Sequence, residues 1–152
     1  MSENIIKYRD WIFEMDKIQT EKVYQNVQVS GTESCTCGNC KYFDIESDRI
    51  FPDEIKLLFM NLGVDINKNF EVTDYGDEKT QHVYMGEFHF IGNIIEGNDC
   101  SILFKNGGYY AELVPITKSF SIGFTKRVSQ SFFNKERDLI QIEFTAKVPL
   151  NL

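Results

Sequence analysis

Apolar positions along this chain follow two rhythms. Over the first stretch, Ile5, Tyr8, Trp11, Ile12, Met15 and Ile18 recur every three or four residues, with Arg9, Asp10, Glu14 and Lys17 between them. That spacing places the apolar side chains on one helical face and predicts an amphipathic helix over about 5–20. Val23, Gln25, Val27 and Val29 then alternate with Tyr24, Asn26 and Gln28 in the two-residue period of a strand, and Ser30-Gly31-Thr32-Glu33-Ser34 reads as a loop. A second helix is predicted over 52–62. Pro52 suits the first turn, Asp53 and Glu54 complement the positive end of the helix dipole, and Gly63 fits the left-handed position that ends many helices. Its buried stripe is Ile55, Leu58, Phe59 and Leu62.

Beyond Gly63 the two-residue period takes over. Phe70 to Thr73 leads to a turn around Gly76-Asp77, and Val83 to Ile91 is a long extended run that residues 93–97 continue after a bend. Ser101 to Phe104 and Tyr109 to Val114 flank Asn106-Gly107-Gly108, a hairpin signal because Asn and Gly both accept positive φ. Phe120, Ile122 and Phe124 alternate with polar or small residues. The clearest strand is Ile140, Ile142, Phe144, Ala146 and Val148 against Gln141, Glu143, Thr145 and Lys147. Such alternation predicts a sheet with one buried and one wet face. The expected architecture is α+β: a mainly antiparallel sheet of about six or seven strands with two helices (about 5–20 and 52–62) packed on it, in a single domain spanning 1–152.

Composition adds a bias toward strands, since 13 Phe and 7 Tyr favour pleated, half-buried surfaces. At 152 residues the chain is long enough to bury about 70% of its unfolded surface, so neither metal nor disulfide is required to fold. A net charge of −7 disfavours phosphate backbones and anionic lipid, so no nucleic-acid or membrane partner is expected; it favours a basic protein partner or, on the simpler reading, only keeps the protein soluble. The amino-terminal residues show no basic segment followed by a long apolar run, and no apolar run approaches the roughly 20 residues needed to span a bilayer. The expected location is the cytoplasm, where clustered cysteines are thiols or metal ligands rather than structural disulfides.

Three of the four cysteines lie in Cys35-Thr36-Cys37-Gly38-Asn39-Cys40. Zinc takes four ligands from cysteines spaced on tight turns. Cys35, Cys37 and Cys40 therefore form a candidate zinc site, with Cys100, His82 or His89 as the candidate fourth ligand. The second half-site of a full signature is missing. The alternative is thiol–disulfide exchange at Cys37 and Cys40. The segment Cys37-Gly38-Asn39-Cys40-Lys41 is similar to the Cys-Gly-Pro-Cys-Lys segment of thioredoxins, where a helix amino terminus lowers the pKa of the first thiol. The likeness covers five residues. Tyr42 to Ile50 shows no helical stripe and no βαβ framework surrounds it. The bland reading is that the cysteines are small residues packed in a turn, and Cys100 alone reads as core.

His82 and His89 are seven apart and face opposite sides of a regular strand unless Gly86 makes a bulge. Glu87 and His89 share a face and are a candidate acid–base pair, against the simpler reading of a solvated strand face. Asp44, Glu46 and Asp48 alternate as in some calcium loops but lack the glycine and closing glutamate of an EF-hand. No phosphate-binding glycine loop and no Gly-x-Ser-x-Gly nucleophile elbow is present. Tyr84, Phe88, Phe90, Tyr109, Tyr110, Phe120 and Phe124 either line a concave sheet around an apolar ligand or form the core.

Cys37-Gly38-Asn39-Cys40, Phe51-Pro52 with Leu62-Gly63-Val64-Asp65, Tyr84 to Gly92, and Gln141-Ile142-Glu143-Phe144 together give the chain a look that resembles a group of small, uncharacterised bacterial single-domain proteins. The resemblance implies a bacterial source and assigns no catalytic residue. With no complete catalytic set in the sequence, the expected function is non-enzymatic binding of a protein, of which an immunity-type protein is one specific form, with a structural zinc at Cys35/Cys37/Cys40 as an option. The rivals are the redox protein and a small-molecule binder with an aromatic pocket.

Overall fold

The computed structural model describes residues 4–35, 38–76, 80–134 and 136–149. It is an α+β fold. The chain runs β1 (Ile5–Tyr8), β2 (Trp11–Met15), α1 (Lys17–Asn26), α2 (Gly31–Ser34), α3 (Gly38–Ile50), α4 (Asp53–Leu62), β3 (Glu71–Asp74), β4 (Gln81–Glu96), β5 (Ser101–Leu103), β6 (Tyr109–Ala111), β7 (Val114–Pro115), β8 (Phe120–Thr125) and β9 (Leu139–Pro149). Seven strands form one antiparallel sheet in the order β1-β2-β4-β9-β8-β7, with β3 beside β2 on the same flank of β4. Strands β5 and β6 form a separate hairpin.

Three expectations fail over residues 5–34. Residues 5–15 are a hairpin, and only 17–20 of the predicted first helix are helical. Trp11, Phe13 and Met15 are 4%, 0% and 5% exposed, the alternation of a strand. Phe13 has no place in the helical stripe, yet the strand buries it completely. A two-residue turn, Arg9-Asp10, joins the strands, with Arg9 at φ +50°. Arg9 and Tyr8 both hydrogen-bond Glu54 at the start of α4, which fastens the hairpin to that helix. The helix starts instead at Asp16, whose carboxylate caps Gln19 N–H at 3.0 Å, and it takes in residues 23–26 of the predicted strand. The stretch 30–34 is a short helix with a Ser30/Glu33 capping box.

Helix α4 matches its prediction. Gly63 ends it at φ +84°, and a side chain there would strike the backbone carbonyl of Lys17, so the same glycine lets α1 approach. Helix α3 was not expected. Its buried positions are Cys40, Phe43 and Ser47, and two of the three are small or polar, which hides the stripe from an apolar count.

Helices α3 and α4 cover one face of the sheet. There Phe43, Phe51 and Phe59 pack on Tyr84, Phe88, Phe120 and Phe144. Helix α1 does a different job. Between the segments of β4 that pair with β2 and β3, residues 88–91 have no neighbouring strand on that side. The Tyr24 hydroxyl donates to His89 O at 2.8 Å and accepts from His89 N–H at 3.0 Å, while Thr20 Oγ1 accepts from Ile91 N–H at 3.1 Å. Asp16 N–H completes the run on Ile91 O at 2.9 Å. Side chains of a helix thus stand in for a missing strand, as buried backbone groups require. Tyr24→Phe strands both His89 groups and is expected to cost about 2–3 kcal/mol. Urea unfolding measures the loss, and amide exchange should show it concentrated at His89.

Candidate functional site

The second face of the sheet carries the chemistry. Register places Glu71 of β3 opposite Glu87 of β4, and Glu87 opposite Glu143 of β9. Directly paired residues point to the same face with β-carbons about 5 Å apart, so three carboxylates stand in a row across three strands. Next in line is Gly123 of β8, opposite Glu143. Its missing side chain leaves room for Cys100 and Leu113 to lie against the sheet. Glu71, Glu87 and Glu143 line a cavity of about 200 Å³ together with Thr73, Tyr75, Met85, Ala111 and Leu113. Its described lining contains no Lys, Arg or His.

Like charges directly opposite on a sheet repel. None of the ion pairs among the described residues involves this row. The nearest basic group in electrostatic terms is Arg127, which favours the charged form of Glu143 but lies over the Tyr109 ring at 3.8 Å. Burial pushes the Glu87 carboxyl up to about 7, with Glu143 and then Glu71 adding to the rise. Burial also raises Glu143, helped by Asp99, while hydrogen bonds from Cys100 and Gln141 and the charge of Arg127 pull it back. Cys100 donates its S–H to Glu143 at 3.7 Å, and burial followed by the Glu143 charge pushes its thiol up to about 12. That thiol is a proton donor at neutral pH and a poor nucleophile.

Gln141 organises the floor. Its Nε2 donates to Glu87 Oε1 at 3.2 Å, and its Oε1 lies 3.1 Å from His89 Nε2, which therefore carries the proton of that bond. Glu87 and His89 do share a face, as expected, but an amide separates them. His89 is sealed in by Phe70 and Phe133. Beyond this covered end the face opens into the cavity.

The residues singled out by the cysteine pattern do not meet around this cavity. Cys35 precedes α3 and Cys40 is buried in its first turn, on the helical side of the sheet. Cys37 lies outside the described residues. His82 shares the helical side, held between the rings of Tyr42 and Tyr84 and bound through Nδ1 to Asp74 at 2.6 Å. His89 and Cys100 lie on the other face. The ladder of β4 with β9 runs from 81 to 91 without a bulge at Gly86, so the histidines stay on opposite sides. Among the described residues no three His, Cys, Asp or Glu side chains form a metal cluster. Asp44, Glu46 and Asp48 are spread along α3, where Asp44 accepts from Thr32, Glu46 pairs with Arg49 and Asp48 with Lys56. The predicted aromatic set divides. Tyr84, Phe88, Phe90, Phe120 and Phe124 are core, while Tyr109 and Tyr110 are exposed on the hairpin with Leu103 and Phe104. Every strand pairing described is antiparallel, unlike a βαβ framework, although α3 does follow the cysteines directly.

Neither models of protein families, nor curated proteins, nor solved structures give a match to this chain. No helix of the described residues is long and apolar enough to cross a membrane.

Proposed function

We propose that this chain is a cytoplasmic, non-enzymatic binding domain that holds a basic protein partner in the groove of Glu71, Glu87 and Glu143. The observation that carries this reading is the row itself: three carboxylates side by side, Glu87 and Glu143 half-buried and Glu71 exposed, with no cation paired to them among the described residues. A lysine or arginine head entering the cavity relieves their repulsion, and Met85, Leu113 and Ala111 offer its methylenes an apolar wall. Tyr109, Tyr110, Leu103 and Phe104 on the neighbouring hairpin supply the exposed aromatic and apolar contact area that interface cores use. The net charge of −7 steers such a partner inward. One concrete form is an immunity-type protein that masks a basic toxin.

The test compares the natural chain with the triple variant E71Q/E87Q/E143Q as bait in lysate of the source cell. The expected catch is a protein with an isoelectric point above about 9. It should be released at about 0.5 M salt, where the screening length is about 4 Å, and be weakened at least tenfold by the triple variant. A catch that is equal for both baits, or that is acidic, contradicts the proposal.

A further inference from the structure

The β5–β6 hairpin is a two-stranded sheet of its own, and two strands alone are marginal in water. Among the described residues no third strand pairs with either of its edges. Large apolar side chains stand out from it. Leu103 is 60% exposed, Phe104 and Tyr109 47%, and Tyr110 42%. The rings of Phe104 and Tyr110 touch, with centroids 4.6 Å apart. Hydrogen bonds fix which backbone groups the hairpin uses and which it offers. Glu112 N–H donates to Cys100 O and Phe104 N–H to Gly108 O, so the bonded pairs along the register are 100/112, 102/110 and 104/108. The N–H and C=O groups of Tyr109 and Ala111 therefore point outward from β6.

We propose that β6 pairs with β6 of a second copy of this chain, antiparallel about a two-fold axis at Tyr110, so that two hairpins join into one four-stranded sheet. In this register Tyr109 of each copy faces Ala111 of the other, and their outward groups close four hydrogen bonds. Tyr110 faces its own counterpart, with the two Phe104 rings beside the pair. Glu112 faces Gly108, so no like charges meet.

A second copy fits because the strand is complementary to itself: large faces small at 109 and 111, and aromatic faces aromatic at the axis. The area fits as well. Leu103, Phe104, Tyr109 and Tyr110 expose about 400 Å² between them. A standard interface buries about 800 Å² per partner, a little over half of it apolar, so the hairpin alone supplies nearly that share. Charge points the same way. Residues 99–127 hold Lys105, Lys118, Lys126 and Arg127 against Asp99 and Glu112, a positive excess in a chain of net charge −7. Two acidic copies repel least where their own charge is offset. The pairing goes beyond the proposed function and does not depend on it. A basic partner that uses the same aromatics competes with the second copy for them.

Sedimentation equilibrium of the full chain, from about 1 to 500 μM, tests the pairing. The mass should rise from 17.7 kDa to twice that value, with half-association at about 10 μM. Tyr110→Lys sets two ammonium groups opposite each other at the axis and should weaken association at least tenfold. Met60→Lys, at an exposed apolar position on α4, should leave it within about twofold. Amide exchange of the natural chain reads the register without any substitution. Tyr109 and Ala111 should exchange more slowly as concentration rises, while Tyr110, whose N–H is bonded within the hairpin, should not change. A mass of 17.7 kDa at every concentration overturns the proposal. So does a dimer that Tyr110→Lys leaves intact, or exchange at Tyr109 and Ala111 that ignores concentration.

Discussion

Phe51→Ala is expected to lower the unfolding free energy by about 3–5 kcal/mol, the largest single loss available in this core. Phe51 is 2% exposed and occupies the junction between α3 and α4. Its ring lies 5.1–6.2 Å from those of Phe43, Phe59, Phe88, Phe120 and Phe144, so it joins two helices to three strands. Truncation opens a cavity that neither a helix cap nor a sheet can collapse to fill, and several edge-to-face contacts vanish with the ring. For a domain of this size the melting temperature should fall by about 8–15 °C. Phe51→Leu keeps most of the volume and should cost far less, about 1–2 kcal/mol. A loss under about 1.5 kcal/mol for the alanine variant would mean that the helices are not anchored through this ring.

Glu87→Gln should do the reverse and stabilise the protein at neutral and alkaline pH. The folded state holds this carboxyl near 7, above its unfolded value, so the native protein binds the extra proton. The penalty is absent below the unfolded value near 4.3, grows as pH rises, and is complete above about 7. The full shift corresponds to about 3–4 kcal/mol, which screening at a half-exposed site reduces to about 1–2 kcal/mol. Glutamine keeps an oxygen for the Gln141 amide and removes the charge. Under the proposed function, that cost is one a bound cation would offset. The same substitution should weaken capture of a basic partner, so that gain in stability and loss of binding appear in one variant.

The two halves of this account were unequally visible in the sequence. Helix α4, the Asn106-Gly107 hairpin and strands β4, β8 and β9 follow from local pattern, because caps, turn residues and alternation agree there. The amino-terminal hairpin was lost because Tyr8, Trp11, Ile12 and Met15 satisfy a helical spacing by accident, and Arg9-Asp10 is not a favoured turn pair. Helix α3 was lost because Ser47 sits in its buried stripe. The site was hidden for a deeper reason. Glu87 and Glu143 were each legible as wet-face residues, but they lie 56 positions apart, and only the β4–β9 register makes them neighbours. The signal within reach was that β4, β9 and β3 each carry a glutamate on the polar side of an apolar alternation. The cysteine cluster is the more conspicuous feature of the sequence, since its residues are neighbours along the chain whereas the glutamates are neighbours only through register.

The most direct test measures urea unfolding of the natural chain and of Glu87→Gln at about pH 4.5 and about pH 8. The carboxylate row predicts near-equal stabilities at the lower pH and a lead of about 1–2 kcal/mol for the glutamine variant at the higher. A difference that does not change with pH, or a natural chain that is the more stable at the higher pH, would contradict it.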